Sequence, residues 1–159
     1  MFPTTIASLI DTVNKPLTPV HCPGCTKGQE YCEHKPGWFA PSEAEAAIKD
    51  GFGRRLMLDY WDADGQLPYT EVVSAPIIGY EGNVAPHDPL GICAFLTENK
   101  QCELHGKFKP LECGVACCKV KYDDSNVHFR MAQMWDSDEG RRVVALWKKA
   151  NSMKGNSDD

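Results

Sequence analysis

No block of lysine and arginine stands out in this 159-residue chain, and its formal charge is −5. A protein that neutralises nucleic-acid phosphates needs a basic stripe, so nucleic acid is not an expected partner. No apolar run approaches the roughly 20 residues that span a bilayer, so a membrane is not expected either. The first residues, Met1-Phe2-Pro3-Thr4-Thr5-Ile6, lack the basic start and long apolar stretch of a secretion signal. The expected location is therefore cytoplasmic. Enzyme fingerprints are missing too. There is no glycine-rich dinucleotide or phosphate loop, no Gly-x-Ser-x-Gly, no His-Glu-x-x-His and no Cys-x3-Cys-x2-Cys radical motif.

What the chain does have is cysteine. Eight are present, in two arms: Cys22, Cys25 and Cys32 near the start, then Cys93, Cys102, Cys113, Cys117 and Cys118. The stretch 33–92 between them holds none. An even number of cysteines is compatible with a disulfide-stapled secreted domain. Disulfides persist in oxidising compartments, however, and clustered thiols in the cytosol more often hold metal. All eight cysteines are therefore expected metal ligands.

The local patterns agree with that expectation. In His21-Cys22-Pro23-Gly24-Cys25, the Pro-Gly pair makes a tight turn that sets both sulfurs on one side, as in rubredoxin-like knuckles and zinc ribbons. A thioredoxin-type redox pair would need a strand before the motif and a helix starting at it. Here a proline-rich turn precedes it and Thr26-Lys27-Gly28-Gln29 follows. His21 and His34 could each supply a fourth ligand, although a lone histidine beside a thiol is more often solvated. Pro110 suits the first turn of a helix. On a helix running to Cys118, Cys113 and Cys117 share a face, while Cys118 points about 100° away. Cys118 therefore also reads as a buried free thiol. Glu98-Asn99-Lys100-Gln101 turns the chain so that Cys102 returns beside Cys93.

The rest of the chain predicts an α+β fold with short helices and a few short strands around a cysteine-ligated centre. Hydrophobic residues at 42% suffice for an ordinary core, and the length suits one domain. Ile6, Leu9, Ile10 and Val13 have helical spacing. Ser42-x-x-Glu45 reads as a capping box for a helix over about 43–50, stopped by Gly51. Residues 54–61 lean to strand, and 70–80 are β-rich with a break at Pro76. Asp62-x-Asp64-Gly65 is a solvated turn, because Leu67 and Tyr69 occupy positions where a calcium loop needs ligands. From His128 the pattern is helical, with Ser137 capping a last helix that faces inward through Val143, Leu146 and Trp147. The expected organisation is a single metal-binding domain over 1–150 and a disordered polar tail over 151–159.

Taken together, Cys22-x-x-Cys25, Cys32, Pro36-Gly37-Trp38 with its Pro-Ser-Glu-Ala helix start, Cys93-x-Phe95-Leu96, Cys102-Glu103-Leu104-His105 and Lys109-Pro110-Leu111-Glu112-Cys113 resemble the YkgJ-like cysteine-cluster family. The resemblance covers roughly 22–147. Two departures are that Cys32 stands alone before Glu33, and that Gly114 rather than arginine follows Cys113. The family's ligand assignment is therefore not carried over intact. The resemblance implies a zinc- or iron-chelating domain, or an iron–sulfur protein holding a 4Fe–4S cluster. Some relatives are flagellin lysine methylases with such a cluster. The expected function is a metal centre, iron–sulfur or zinc, that is structural or iron-chelating and supports interaction with another protein. The alternatives are an iron–sulfur redox or methylase-like modification enzyme, and the disulfide-stapled domain.

Overall fold

The computed structural model describes residues 32–61, 69–86, 90–99, 101–104, 109–115 and 124–156. The expected helix over 4–13, the Cys22-x-x-Cys25 knuckle with His21, the Asp62 turn, Cys117 and Cys118 lie outside them.

Helix α1 (Pro41–Ala47) starts at a proline, which has no N–H to leave unpaired in the first turn. Glu43 Oε1 accepts the N–H of Ala40 at 2.8 Å. The helix thus begins two residues before the expected Glu43, and the acid that caps it is Glu43 rather than Glu45. Glu45 reaches outward instead, to Arg142 and to Lys49. A π-turn (Ile48–Phe52) follows, with Gly51 at φ 95°, a backbone conformation that favours glycine, and then a 3-10 turn (Gly53–Arg55).

Strands β1 (Met57–Trp61) and β2 (Thr70–Ser74) pair antiparallel, Met57 opposite Ser74 and Trp61 opposite Thr70. Both have the β-branched and aromatic character expected of strands, although β2 ends at Ser74 rather than running to Tyr80. Two single-residue bridges widen this ribbon: Trp38 lies antiparallel to Ser74, and Val84 runs parallel beside Leu58. Residues 32–34 are also helical, and three further helices follow the ribbon: α2 (Leu111–Val115), α3 (Asp124–Trp135) and α4 (Asp138–Asn156). Ser137 caps α4 as expected, its Oγ accepting the Gly140 N–H at 3.0 Å. Helix α4 runs past residue 151, where the polar tail was expected to begin. Asn151 holds that turn by donating to Gly53 O at 3.1 Å and to Trp147 O at 2.9 Å.

The α+β class is thus observed. The main hydrophobic cluster joins Trp38, Phe39, Leu56, Val72, Val73, Phe95, Met131, Trp135, Val143 and Trp147. Burying each such side chain contributes roughly 1.5–3 kcal/mol. The tryptophans also satisfy their N–H groups, Trp135 on Phe39 O (2.8 Å) and Trp147 on Leu56 O (2.9 Å). Cys93 is a member of this cluster, and Cys32 and Cys102 pack against it. Among the described residues, no helix is long and apolar enough to cross a membrane.

Candidate metal centre

Four of the eight expected ligands, Cys32, Cys93, Cys102 and Cys113, lie within the described residues, and none of the four is in a disulfide. Backbone pairing brings the two arms together. Cys93 N–H donates to Cys32 O at 2.8 Å, and Gly91 N–H donates to His34 O at 2.8 Å. Residues 32–34 are helical, and their carbonyls dock the first arm on the 91–93 segment. His34 takes part through its carbonyl.

The 93–102 hairpin forms, in a register shifted from the expected one. Cys102 stands across from Leu96, and Cys93 bridges to Ile77. Thr97 N–H closes the turn on Gln101 O at 2.7 Å, and Glu103 N–H bonds Phe95 O at 2.8 Å. Arg55 clamps this hairpin to the turn after α1. Its guanidinium meets both Glu103 oxygens, at 2.9 and 2.8 Å, and lies 4.6 Å from the Phe95 ring centre.

Cys113 arrives from a third direction, on α2. Glu43, the cap of α1, also accepts the Leu111 N–H at 3.0 Å, so one carboxylate orders the starts of both helices. Burial holds the Glu43 carboxyl above its usual range, against the pull of those two N–H groups. Next to Cys113, Glu112 N–H donates to Trp38 O at 3.3 Å, and Trp38 N–H donates to Glu112 Oε1 at 3.4 Å. The arms are then so close that a Cβ added at Gly37 would lie 2.2 Å from Cys113 Sγ.

The electrostatics follow from this gathering. Burial, with the nearby Cys102 thiol, pushes the Cys32 thiol up to about 11, although Lys109 pulls it back. Burial pushes Cys93 up to about 12, and Cys32 and Cys102 act in the same direction. Cys113 is raised well above its ordinary value, first by burial and then by Cys32, Cys93, Glu112 and Cys102. Each thiolate would destabilise the others, as expected for like charges sharing a site of low dielectric. Among the described residues, no three His, Cys, Asp or Glu side chains stand in a group that could already hold a metal ion. The donors are of the right chemistry for a soft metal but are not drawn together into a cage. Lys109 lies close enough for its charge to act on Cys32. Lys35 has a different role.

The sequence reading missed a buried charged group behind Cys113. Asp59, Glu112 and His128 are each 5% exposed or less. Trp38 Nε1 donates to Asp59 Oδ2 at 2.9 Å. His128 Nε2 lies 2.7 Å from Glu112 Oε2 and 3.1 Å from Lys35 Nζ. A proton on Nε2 suits the carboxylate and a lone pair suits the ammonium, so the three groups are coupled through one ring atom. The approach to Glu112 Oε2 is a close contact rather than an aligned hydrogen bond, because that oxygen has no partner of hydrogen-bonding geometry. The His128 ring sits 4.5 Å from the Trp38 ring and 5.9 Å from that of Trp61. The available signal was weak: an acid directly before a cysteine in Leu111-Glu112-Cys113, and a histidine starting a helical pattern.

A second concavity, of about 390 Å³, is lined by Tyr69, Glu71, Trp135, Asp136, Arg141 and Lys148 among others. Its charges largely satisfy one another, Lys148 with Glu71 (3.0 Å) and Arg141 with Asp136 (3.2 Å), and it holds none of the cysteines. No family model, no curated protein and no solved structure matches this chain, so its function is argued from its own residues.

Proposed function

We propose that this protein is a cysteine-cluster metal binder, with Cys32, Cys93, Cys102 and Cys113 as the nucleus of the ligand set. One observation carries the reading: four thiols from three separate segments gather at one place, Cys93 within the core, Cys32 and Cys102 against it and Cys113 beside Gly37, and neighbouring cysteines add to burial in raising Cys32, Cys93 and Cys113. Hydrophobic packing alone gives no reason to gather thiols in one place. A thiophilic metal does, because it takes the place of the thiol protons and offsets the mutual repulsion of the sulfurs.

Zinc and an iron–sulfur cluster both suit thiolate donors. When bound, either supplies a positive centre that joins the three segments, and its chemistry here is structural or metal-sequestering. The protein's part is to hold Cys93 and Cys32 on paired backbone, Cys102 on a clamped hairpin and Cys113 on α2. Since the described donors do not yet form a cage, binding draws the sulfurs together and adds to folding stability. Cys22, Cys25, Cys117 and Cys118 extend the candidate set. Support for a protein partner comes from Ile78, Val84, Leu90 and Ile92, which are exposed around the 76–92 loop. Ile78 and Ile92 are joined by a 3.0 Å backbone bond, so two of these side chains are adjacent in space. Exposed apolar residues grouped in this way mark interaction surfaces.

The test is anaerobic purification followed by a visible spectrum and assays for iron, sulfide and zinc. Stoichiometric zinc without colour supports the zinc form. Brown protein with iron and sulfide in near-equal amounts supports the cluster. Absence of all three, together with failure of the reduced protein to take up zinc or cobalt, overturns the reading.

A further inference from the structure

We propose that Glu112 is the positioning residue for Cys113. Its backbone and carboxylate latch α2 onto the Gly37-Trp38 segment and so hold the Cys113 thiol at the meeting point of the arms. The proposal rests on the metal-binding reading for one of its two readouts only.

Three observations lead to it. Glu112 is a buried carboxylate one residue from Cys113, and burying a carboxylate costs several kcal/mol unless it is compensated. Its compensation is specific. Oε1 faces the Trp38 N–H at 3.4 Å, and Oε2 faces His128 Nε2 at 2.7 Å. Its own N–H returns to Trp38 O at 3.3 Å. The side chain therefore joins the cysteine-bearing helix to the first arm on one side and to α3 on the other. The second observation is Gly37, next to Trp38. The latch brings Cys113 Sγ so near to Gly37 that no side chain fits between them, so sulfur position and latch depend on each other. Third, the first arm is fixed independently. Gly37 O accepts from Ala75 N–H at 3.0 Å and from Ser74 Oγ at 3.1 Å. Phe39 N–H donates to Val73 O at 3.1 Å. The sheet is thus the anchor, Trp38 the fixed end and Cys113 the part that is held.

Two variants test this. Glu112→Gln keeps an Oε1 acceptor for Trp38, whereas Glu112→Ala removes the carboxylate part of the latch and leaves only the backbone bond to Trp38 O. In reduced, metal-free protein, iodoacetamide labelling resolved by peptide mass reports each cysteine separately. With Glu112→Ala, Cys113 should label about tenfold faster or more, as expected when a charge-assisted contact no longer opposes local opening. Cys93, which is held by Ile77 and Cys32, should stay within about twofold of its wild-type rate. Glu112→Gln, which keeps the Trp38 acceptor but not the charge, should fall between wild type and Glu112→Ala at Cys113 and stay within about twofold of wild type at Cys93. Zinc titration adds the second readout. Glu112→Ala should weaken zinc binding by roughly 10–100-fold, as when a group that orients a metal ligand is lost. It should cause no further loss in a Cys113→Ser background. Equal acceleration at Cys93 and Cys113 would show general loosening and overturn the proposal, as would no acceleration at Cys113. If wild-type protein takes up no zinc, cobalt or iron, the metal reading falls, and labelling alone decides the role of Glu112.

Discussion

The contact between Gly37 and Cys113 supports a quantitative prediction. In Gly37→Ala the new methyl would lie 2.2 Å from Cys113 Sγ, 3.3 Å from Cys113 N and 3.6 Å from its Cβ. Non-bonded heavy atoms settle at about 3.5–4.0 Å. The sulfur must therefore retreat by more than about 1 Å, into surroundings that already desolvate it. Overpacking of this kind costs about 1–3 kcal/mol. Against it, loss of a glycine from the unfolded chain contributes about 0.4–1 kcal/mol, since Gly37 has no positive φ to protect. The net expectation is a loss of about 1–2 kcal/mol, or roughly 2–8 °C in Tm for a chain of this size. In Cys113→Ala the offending sulfur is gone and only the tight approach to the Cys113 N remains. There Gly37→Ala should cost less than about 0.5 kcal/mol or stabilise slightly. A urea-unfolding double-mutant cycle on reduced, metal-free protein should then return a coupling of about 0.5–2 kcal/mol. Coupling below about 0.3–0.5 kcal/mol, the range for independent sites, would refute the claim that the two residues compete for the same space.

Other outcomes follow from the same contacts. Gly140→Ala should destabilise more than Gly37→Ala, because its Cβ would meet the Trp135 carbonyl oxygen at 2.2 Å and carbon at 2.6 Å, and backbone cannot rotate aside; thermal unfolding by circular dichroism checks the order. His128→Ala should cost about 3–5 kcal/mol by stranding the buried Glu112 carboxylate, and His128→Ala/Glu112→Gln should recover part of that loss in urea melts. The Cys32 and Cys93 thiols are raised, so the stability they contribute to metal-free protein is fully present below the ordinary thiol value of 9.0 and is lost as pH rises through about 11 and 12. Thiolate ultraviolet absorbance and urea melts across pH 8–12 should show the two changes together. Hydrogen bonding to Arg55 holds the Glu103 carboxyl below its usual range, so its contribution is present above about 4.5 and is lost as pH falls through the lowered value. In Arg55→Met the acid limb of stability should flatten by no more than a surface pair allows, about 0.2–1 kcal/mol.

Much of the local architecture was legible in the chain. The lean to strand over 54–61 and the β-rich character of 70–80 located β1 and β2, and Ser137 announced the start of α4. Glu98-Asn99-Lys100-Gln101 announced the return of the chain to Cys102. The errors have physical causes. The α1 cap was assigned to Glu45 because Ser42 begins the familiar pattern, but Pro41 starts the helix and puts Glu43 three residues from the true cap. The end of α4 was misplaced because residues 151–156 look polar and unconstrained, while Asn151 is tied to Gly53 across the fold.

Taken alone, the sequence determined the chemistry on offer: thiols in two arms, and little else able to bind a soft metal. It also determined that Cys93 and Cys102 belong to one hairpin, because turn residues and apolar pattern act over a few positions. Tertiary structure alone decided that Cys32, Cys93, Cys102 and Cys113 converge. It also decided that Gly37 lies against Cys113 with no room for a side chain unless the sulfur moves, and that Glu112, His128 and Asp59 are buried. Trp38 and Glu112 are 74 residues apart in the chain. No local propensity records a contact at that distance, which exists because α2, α3 and the sheet pack on a single core.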